Sequence, residues 1–158
     1  MTLLPNGDVR FTPDANYHGP AGFSYTVTDL AGAARTAPVQ IDIQPVNDAP
    51  VVTGEVTDAD EDAALVFSAA QLLANDTDAD TATDTDTLRL ASAQGAEHGT
   101  VWLDAAGDVR FAADANYHGP AAFTYTVADA AGATSTARVQ LNLRPVNDAP
   151  VAVGETAT

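Results

Sequence analysis

The sequence predicts an all-β protein built from tandem Greek-key β-sandwiches of seven strands each. Three observations carry that expectation: period-two alternation of apolar and polar residues, turn chemistry between the alternating runs, and an internal repeat of sandwich length.

The alternation is clearest late in each repeat. Phe23, Tyr25 and Val27 alternate with Ser24, Thr26 and Thr28, and Val39, Ile41 and Ile43 with Gln40, Asp42 and Gln44. The second copy matches: Val139, Leu141 and Leu143 alternate with Gln140, Asn142 and Arg144. One face of each run belongs in a core and the other in water, as in antiparallel sheet. The turns read "PNGD" at 5–8, "LAGA" at 30–33, "AAGD" at 105–108 and "AAGA" at 130–133. Strands are expected near 51–56, 63–67, 87–93, 99–104, 108–113, 121–129 and 134–144. Their core comes from Val66, Leu88, Leu90, Val101, Leu103, Val109, Phe111, Phe123, Tyr125, Val127, Val139, Leu141 and Leu143. Only "SAAQLLAN" at 68–75 looks helical, with Ser68 as its cap. Tyr17 and Tyr117 sit in the corner just before a core strand and are read as structural.

The repeat has a period of 100. "DANYHGPAGFSYTVTD" at 14–29 returns as "DANYHGPAAFTYTVAD" at 114–129, and residues 1–50 match 101–150 at 32 of 50 positions. That period suits a small β-domain of roughly 100 residues. Residues 1–46 then supply the later half of one sandwich, 47–150 a complete one, and 151–158 the start of the next. The chain reads as an excerpt from a longer array. Half a sandwich leaves an apolar face bare, so 1–46 is expected to be the least stable part.

The charge balance narrows the function. Twenty-two acids face six arginines and no lysine, for a net charge of −16. Nucleic acid and anionic lipid both demand cations on the protein, so neither fits as a partner. No apolar run is long enough for membrane insertion. There is no cysteine, hence no disulfide framework and no thiolate site. Ten of the acids fall between Glu55 and Asp86, a window without a basic residue. Acid runs are commonly solvated faces; a bound cation is the sharper reading. Carboxylates at every second residue raise one another's pKa, and a hard cation removes that cost. Calcium, with 6–8 oxygen ligands at ~2.3–2.6 Å, suits "TDADEDA" at 57–63 and "ANDTDADTATDTDTL" at 74–88 better than magnesium or zinc.

"PVNDAP" at 45–50 and 145–150 resembles the interdomain linker of cadherins, and "DAD" at 78–80 their calcium-binding D-x-D. "TVTD" and "TVAD" resemble the strand-ending aspartate of their A-x-D element, and "DEDA" at 60–63 their early glutamate motif. The wording as a whole, including "LLANDTDAD" and "HGTVWLDAAGDVRF", is closer still to bacterial cadherin-like tandem repeats of large secreted adhesins. The resemblance covers essentially the entire chain. It implies a calcium site at the first seam using Asn47, Asp48, Asp78, Asp80 and Asp129, with Asp14 or Asn16 from the preceding half-repeat. It implies a second site using Glu61, Asp114, Asn147 and Asp148. The linker lacks the second asparagine of the cadherin pattern, and Asp84 and Asp86 stand where cadherins place asparagine.

The function implied is a calcium-binding extracellular spacer of a bacterial surface adhesin, stiffened at its inter-repeat linkers. Its partners are neighbouring repeats of the same chain, with host-cell or biofilm matrix met through other domains. Without calcium the repeats are expected to hinge about Val46–Pro50. A carbohydrate- or protein-binding module on the same scaffold is the alternative. No enzyme is expected: of His18, His98 and His118, two are the same repeat position, and the acids lack the aromatic residues of a sugar cleft. Trp102, the single tryptophan, is read as core or sheet packing rather than a sugar platform.

Overall fold

The computed structural model describes residues 1–80, 86–150, 152 and 154. The expected start of a further repeat, 151–158, therefore lies largely outside the described residues, as does Asp84. The chain divides into two compact units, Met1–Asn47 and Asp48–Thr158.

The first unit contains β1 (Thr2–Leu3), β2 (Val9–Arg10), β3 (Gly19–Thr28) and β4 (Ala34–Ile43). β1 pairs with β2 and β3 with β4, both antiparallel. The β3–β4 register runs from Gly19↔Ile43 to Thr28↔Ala34. Phe23, Val39, Ile41 and Ile43 are half-buried, whereas Tyr25 is 45% and Val27 58% exposed.

The second unit holds, among the described residues, two sheets. One orders β5 (Val56–Asp60), β11 (Thr134–Arg144), β10 (Gly119–Ala128) and β7 (Arg89–Glu97); the other orders β6 (Leu65–Phe67), β9 (Val109–Ala113) and β8 (Gly99–Leu103). All pairings are antiparallel except β5–β11, which is parallel. The sheets face each other as a β-sandwich. Phe123 of the first packs between Phe67 and Phe111 of the second, with ring centroids 5.3 and 5.9 Å away. Val109, Phe123, Tyr125, Val127 and Val139 are completely buried.

Between β6 and β7 lies α1 (Ala69–Leu72), capped as expected. The Ser68 hydroxyl accepts from the Gln71 N–H, and the Gln71 side chain accepts from the Ser68 N–H. Asp108, in the β8–β9 turn, accepts from the Ala69 N–H and ties the helix to the sandwich.

Two expectations require correction and a third is narrowed. The strand expected at 51–56 begins at Val56 instead, after an isolated bridge at Val51↔Thr77. "VTDAD" shows no apolar alternation, so its strand exists because β11 offers a free edge. Gly54 permits the approach, since a side chain there would strike the Arg138 carbonyl. Val66 faces out, 44% exposed, while Leu65 and Phe67 pack on the core. In "LVF" all three residues are apolar, so pattern alone does not choose the face. Of the two readings of Trp102, core is excluded by its 45% exposure and sheet packing stands, since it lies opposite Arg110 in the β8–β9 pair.

Candidate metal centre

Sheet register builds the site at one end of the second unit. β10 ends at Ala128, which pairs with Arg89 of β7, so Asp129 meets the segment entering β7. Asp129 is fully buried. One of its carboxylate oxygens accepts from the Gly132 and Ala133 N–H groups at 2.6 and 2.7 Å. Asp86 approaches from the β7 side. Its Oδ1 accepts from the N–H groups of Thr87 and Ala130, at 2.8 and 2.7 Å.

The third carboxylate comes from the loop after α1. There Val51 and Thr77 exchange two backbone hydrogen bonds, stapling the linker to the acidic loop. Asp78 follows directly and is 6% exposed. Its Oδ1 accepts from the Asp80 N–H at 2.9 Å, and Asp80 Oδ2 accepts from the Asp48 N–H at 2.8 Å. Ligand oxygens of Asp78, Asp86 and Asp129 all lie within 4.8 Å of one another.

Oxygens that close can share one calcium ion. Two oxygens opposite each other across an ion at ~2.4 Å stand about 4.8 Å apart. The donors are all oxygen, the hard-ligand chemistry calcium prefers over the nitrogen and sulfur of zinc sites. Asp86 Oδ2 is buried and, among the described residues, makes no hydrogen bond. A buried anionic oxygen in that state is costly unless a cation meets it. The residues fit the ion.

The other expected residues divide by position. Asp48 and Asp80 adjoin the three-carboxylate group through the hydrogen bonds above. Asn47 belongs to the first unit, as do Asp14 and Asn16. Glu61 lies at the opposite end of the sandwich. The parallel β5–β11 pairing brings its N–H to the Arg144 carbonyl, 3.1 Å. Its Oε1 accepts from the Val146 N–H at 2.8 Å, and its Oε2 stands 3.6 Å from His118 Nδ1. Asp114 shapes the corner at this end: its carbonyl accepts from the Tyr117 N–H and its own N–H reaches the His98 carbonyl. Asn147 donates to the Asp148 carbonyl, and both are exposed. Asn16 is repeated by Asn116, both with positive φ near 57–58°, a left-handed position that asparagine tolerates.

Asp86 is the group member that sequence reasoning did not assign. The D-x-D spacing points to Asp78 and Asp80, and Asp86 reads as one more acid in a run. No local signal marks it, because its place beside Asp129 comes from the Ala128↔Arg89 pairing of β10 with β7.

A separate acid pair surrounds a core hydroxyl. Tyr125 donates toward the Thr53 carbonyl at 3.1 Å, with Glu55 Oε1 and the Leu72 carbonyl also in range. Asp76 Oδ1 accepts from the Thr53 N–H. Burial pushes the Glu55 carboxyl above its ordinary range, and the Asp76 charge pushes it further. Burial raises Asp76 as well, and raises Tyr125 far above an ordinary phenol.

The cadherin-like domain family matches residues 46–144. The chain belongs to that family. A bacterial Ig domain family matches residues 1–42, within the first unit. Both families are typically extracellular modules. Among curated proteins none matches this chain. Among solved structures the cadherin-like chain is similar to endo-fucoidan hydrolase MfFcnA9 from glycoside hydrolase family 107. The two are 15% identical with a TM-score of 0.37, over 84% of this chain and 23% of that one. Endo-fucoidan hydrolase MfFcnA4, of the same family, is 16% identical with a TM-score of 0.35, over 83% and 19%. The chain spans less than a quarter of those proteins, and similarity at that level carries no argument. Among the described residues no helix is long and apolar enough to cross a membrane.

Proposed function

We propose that this cadherin-like chain is a calcium-binding spacer of a bacterial surface adhesin, secreted and non-enzymatic, whose linkers stiffen when calcium binds. The observation that supports it is the group formed by Asp78, Asp86 and Asp129, whose oxygens converge within 4.8 Å. Asp78, Asp86 and Asp129 would hold the ion, with Asp48 and Asp80 adjoining; bound calcium supplies charge neutralisation.

The protein's own residues do the rest. Asp129 is preset by two backbone N–H groups and Asp86 by two more, so neither carboxylate must be ordered on binding. The Val51–Thr77 staple carries the linker to the acidic loop, which couples ion binding to the end of the linker. Asn47 and Asp48, and at the other end Glu61, Asp114, Asn147 and Asp148, are the remaining proposed ligands. Neighbouring repeats of the same chain are the proposed partners, and host or matrix components are met through other domains.

Extracellular calcium modules bind at ~0.1–1 mM. At about 100 times the dissociation constant, calcium adds roughly 2.7 kcal/mol to the binding-competent state. Calorimetric titration should show saturable calcium binding, and Asp86→Ala or Asp78→Ala should remove the part that belongs to this group, leaving that of the Glu61 end. X-ray scattering should show a longer, stiffer particle in calcium than in chelator. Identical melting temperatures and scattering in both conditions would overturn the proposal.

A further inference from the structure

The sheet of β6, β9 and β8 has a second face that the core does not use. Leu65, Phe67, Val101, Leu103, Val109 and Phe111 point inward. The alternate residues point out: Trp102 is 45% exposed, Val66 44%, and the Arg110 side chain 41%. Arg110 pairs with both Trp102 and Val66 in the strand register, so the three form one row across the sheet. Neighbouring strands lie about 4.8 Å apart, which sets the spacing within the row.

A polar pair borders the indole. Arg110 Nε donates to Asp104 Oδ2 at 2.6 Å. Asp104 Oδ1 accepts from the N–H groups of Ala106 and Asp108, so the turn itself holds the carboxylate in place. The guanidinium and carboxylate are thereby preorganised beside a large, half-open aromatic surface.

The fold does not require that aromatic. In the first unit position 2, the counterpart of Trp102, is threonine, and Thr2 still pairs with Arg10. A half-open indole in one row with an ion-paired guanidinium and a turn-held carboxylate is an apolar surface joined to fixed polar groups, the make-up of a ligand site.

We propose that this face binds a neutral glycan, with the C–H face of a pyranose ring stacked on Trp102 and its hydroxyls bonded to Arg110 and Asp104. Charge selects this occupant. Arg110 is already balanced by Asp104, so the row offers no net positive charge to an anionic polymer or phosphate. A chain carrying −16 repels such ligands, and repels a second copy of itself equally. Sugar hydroxyls both donate and accept, matching a guanidinium and a carboxylate side by side. Flat stacking on an aromatic ring satisfies the apolar side of the same ring. The inference is independent of the calcium reading, since none of these residues belongs to the Asp78–Asp86–Asp129 group.

Trp102 is the chain's only tryptophan, so fluorescence excited selectively at tryptophan, beyond the absorption of the four tyrosines, reports this face. The whole chain is titrated with cellohexaose, laminarihexaose, xylohexaose and mannohexaose, with oligogalacturonate as the anionic arm. A saturable fluorescence change with at least one neutral sugar, the same in calcium and in chelator, is expected. Calorimetry should then show about tenfold or greater weakening in Trp102→Thr and in Arg110→Ala. Trp102→Thr copies the first unit and should leave the melting temperature unchanged, which separates lost binding from lost folding. The proposal is overturned if no neutral sugar shifts the fluorescence, or if oligogalacturonate binds best. It is equally overturned if the shift follows protein concentration alone, which would assign the face to a second copy.

Discussion

Residues 19–43 and 119–143 form the same hairpin twice, and the two copies live in different surroundings. Each runs from a glycine paired with an aliphatic residue to a turn closed by aspartate, in the same register. Tyr25 is 45% exposed and Val27 58%, while Tyr125 and Val127 are completely buried. Register, turn and corner are properties of the hairpin. Burial is a property of what covers it. In the second unit the covering comes from β6, β9 and α1, whose Phe67, Phe111 and Leu72 belong to the core around Phe123.

The largest expected effect breaks the comparison outright. Phe123→Ala should destabilise the second unit by about 3–5 kcal/mol, since it empties a closed aromatic cluster. Phe23→Ala should leave that transition within about 0.5 kcal/mol. Urea unfolding followed by Trp102 fluorescence distinguishes them. Amide exchange should run in parallel, with strong protection in 119–128 and weak protection in 19–28. Equal protection in both would show that covering does not set the stability of this hairpin.

A second test moves to the strand ends. Asp129 is buried and accepts from two backbone N–H groups, whereas Asp29 is exposed and its Oδ1 accepts from the Ala33 N–H at 2.8 Å. Asp129→Ala should cost about 1.5–3 kcal/mol in chelator, the range for hydrogen bonds to charged groups. Asp29→Ala should cost much less. Asp129→Ala, unlike Asp29→Ala, should also reduce the gain in melting temperature on adding calcium.

The corner sharpens the comparison from the opposite side. The Tyr17 hydroxyl donates to the Pro20 carbonyl at 2.6 Å, and the Tyr117 hydroxyl to the Pro120 carbonyl at 2.8 Å. These bonds span three residues and need no partner sheet. Tyr117→Phe should cost about 0.5–1.5 kcal/mol. Tyr17→Phe should loosen exchange at 17–20 to a similar degree. A corner bond lost only in the first unit would mean that the corner also depends on covering.

The smallest effect concerns a group with no counterpart in the first unit. The Glu55 carboxyl is raised in the folded state, mainly by burial and then by the Asp76 charge. A raised carboxyl means that the folded form holds its proton to higher pH than the unfolded form, whose value is near 4.5. Stability therefore falls as pH climbs through the window above 4.5 and stays lowered at neutral pH. Glu55→Gln should raise the melting temperature at neutral pH, with the gain shrinking as pH falls through that window. A gain independent of pH would remove the charge from the explanation.

Much of this was legible from the chain alone. β10 and β11 fall close to the alternating runs, and the Ser68 cap was readable from the residue types that satisfy open N–H groups. The site was half legible. "DAD" announces Asp78 and Asp80, and "TVAD" announces Asp129, because these patterns are short and local. Asp86 was not readable as a site residue, because its place beside Asp129 depends on the Ala128↔Arg89 pairing between strands far apart in sequence. Val66 escaped for a related reason, since in "LVF" no alternation marks a face. Trp102 did not: Val101 and Leu103 on either side were expected in the core and pack on it, which turns the indole to the other face.

By itself the sequence determined the strands with strong alternation, the turns between them, the tyrosine corners and the acid-rich character of the seam. Each of these rests on neighbours a few residues away, whose hydrogen bonds and conformational preferences are the same in either copy. Only the tertiary structure decided that Tyr125 is core while Tyr25 is surface. It also decided that "VTDAD" is a strand, that Val66 faces out, and that Asp86 rather than another acid of the run joins Asp78 and Asp129. Those outcomes depend on pairings between separate strands and loops, and no local preference encodes which segment will be there to make them.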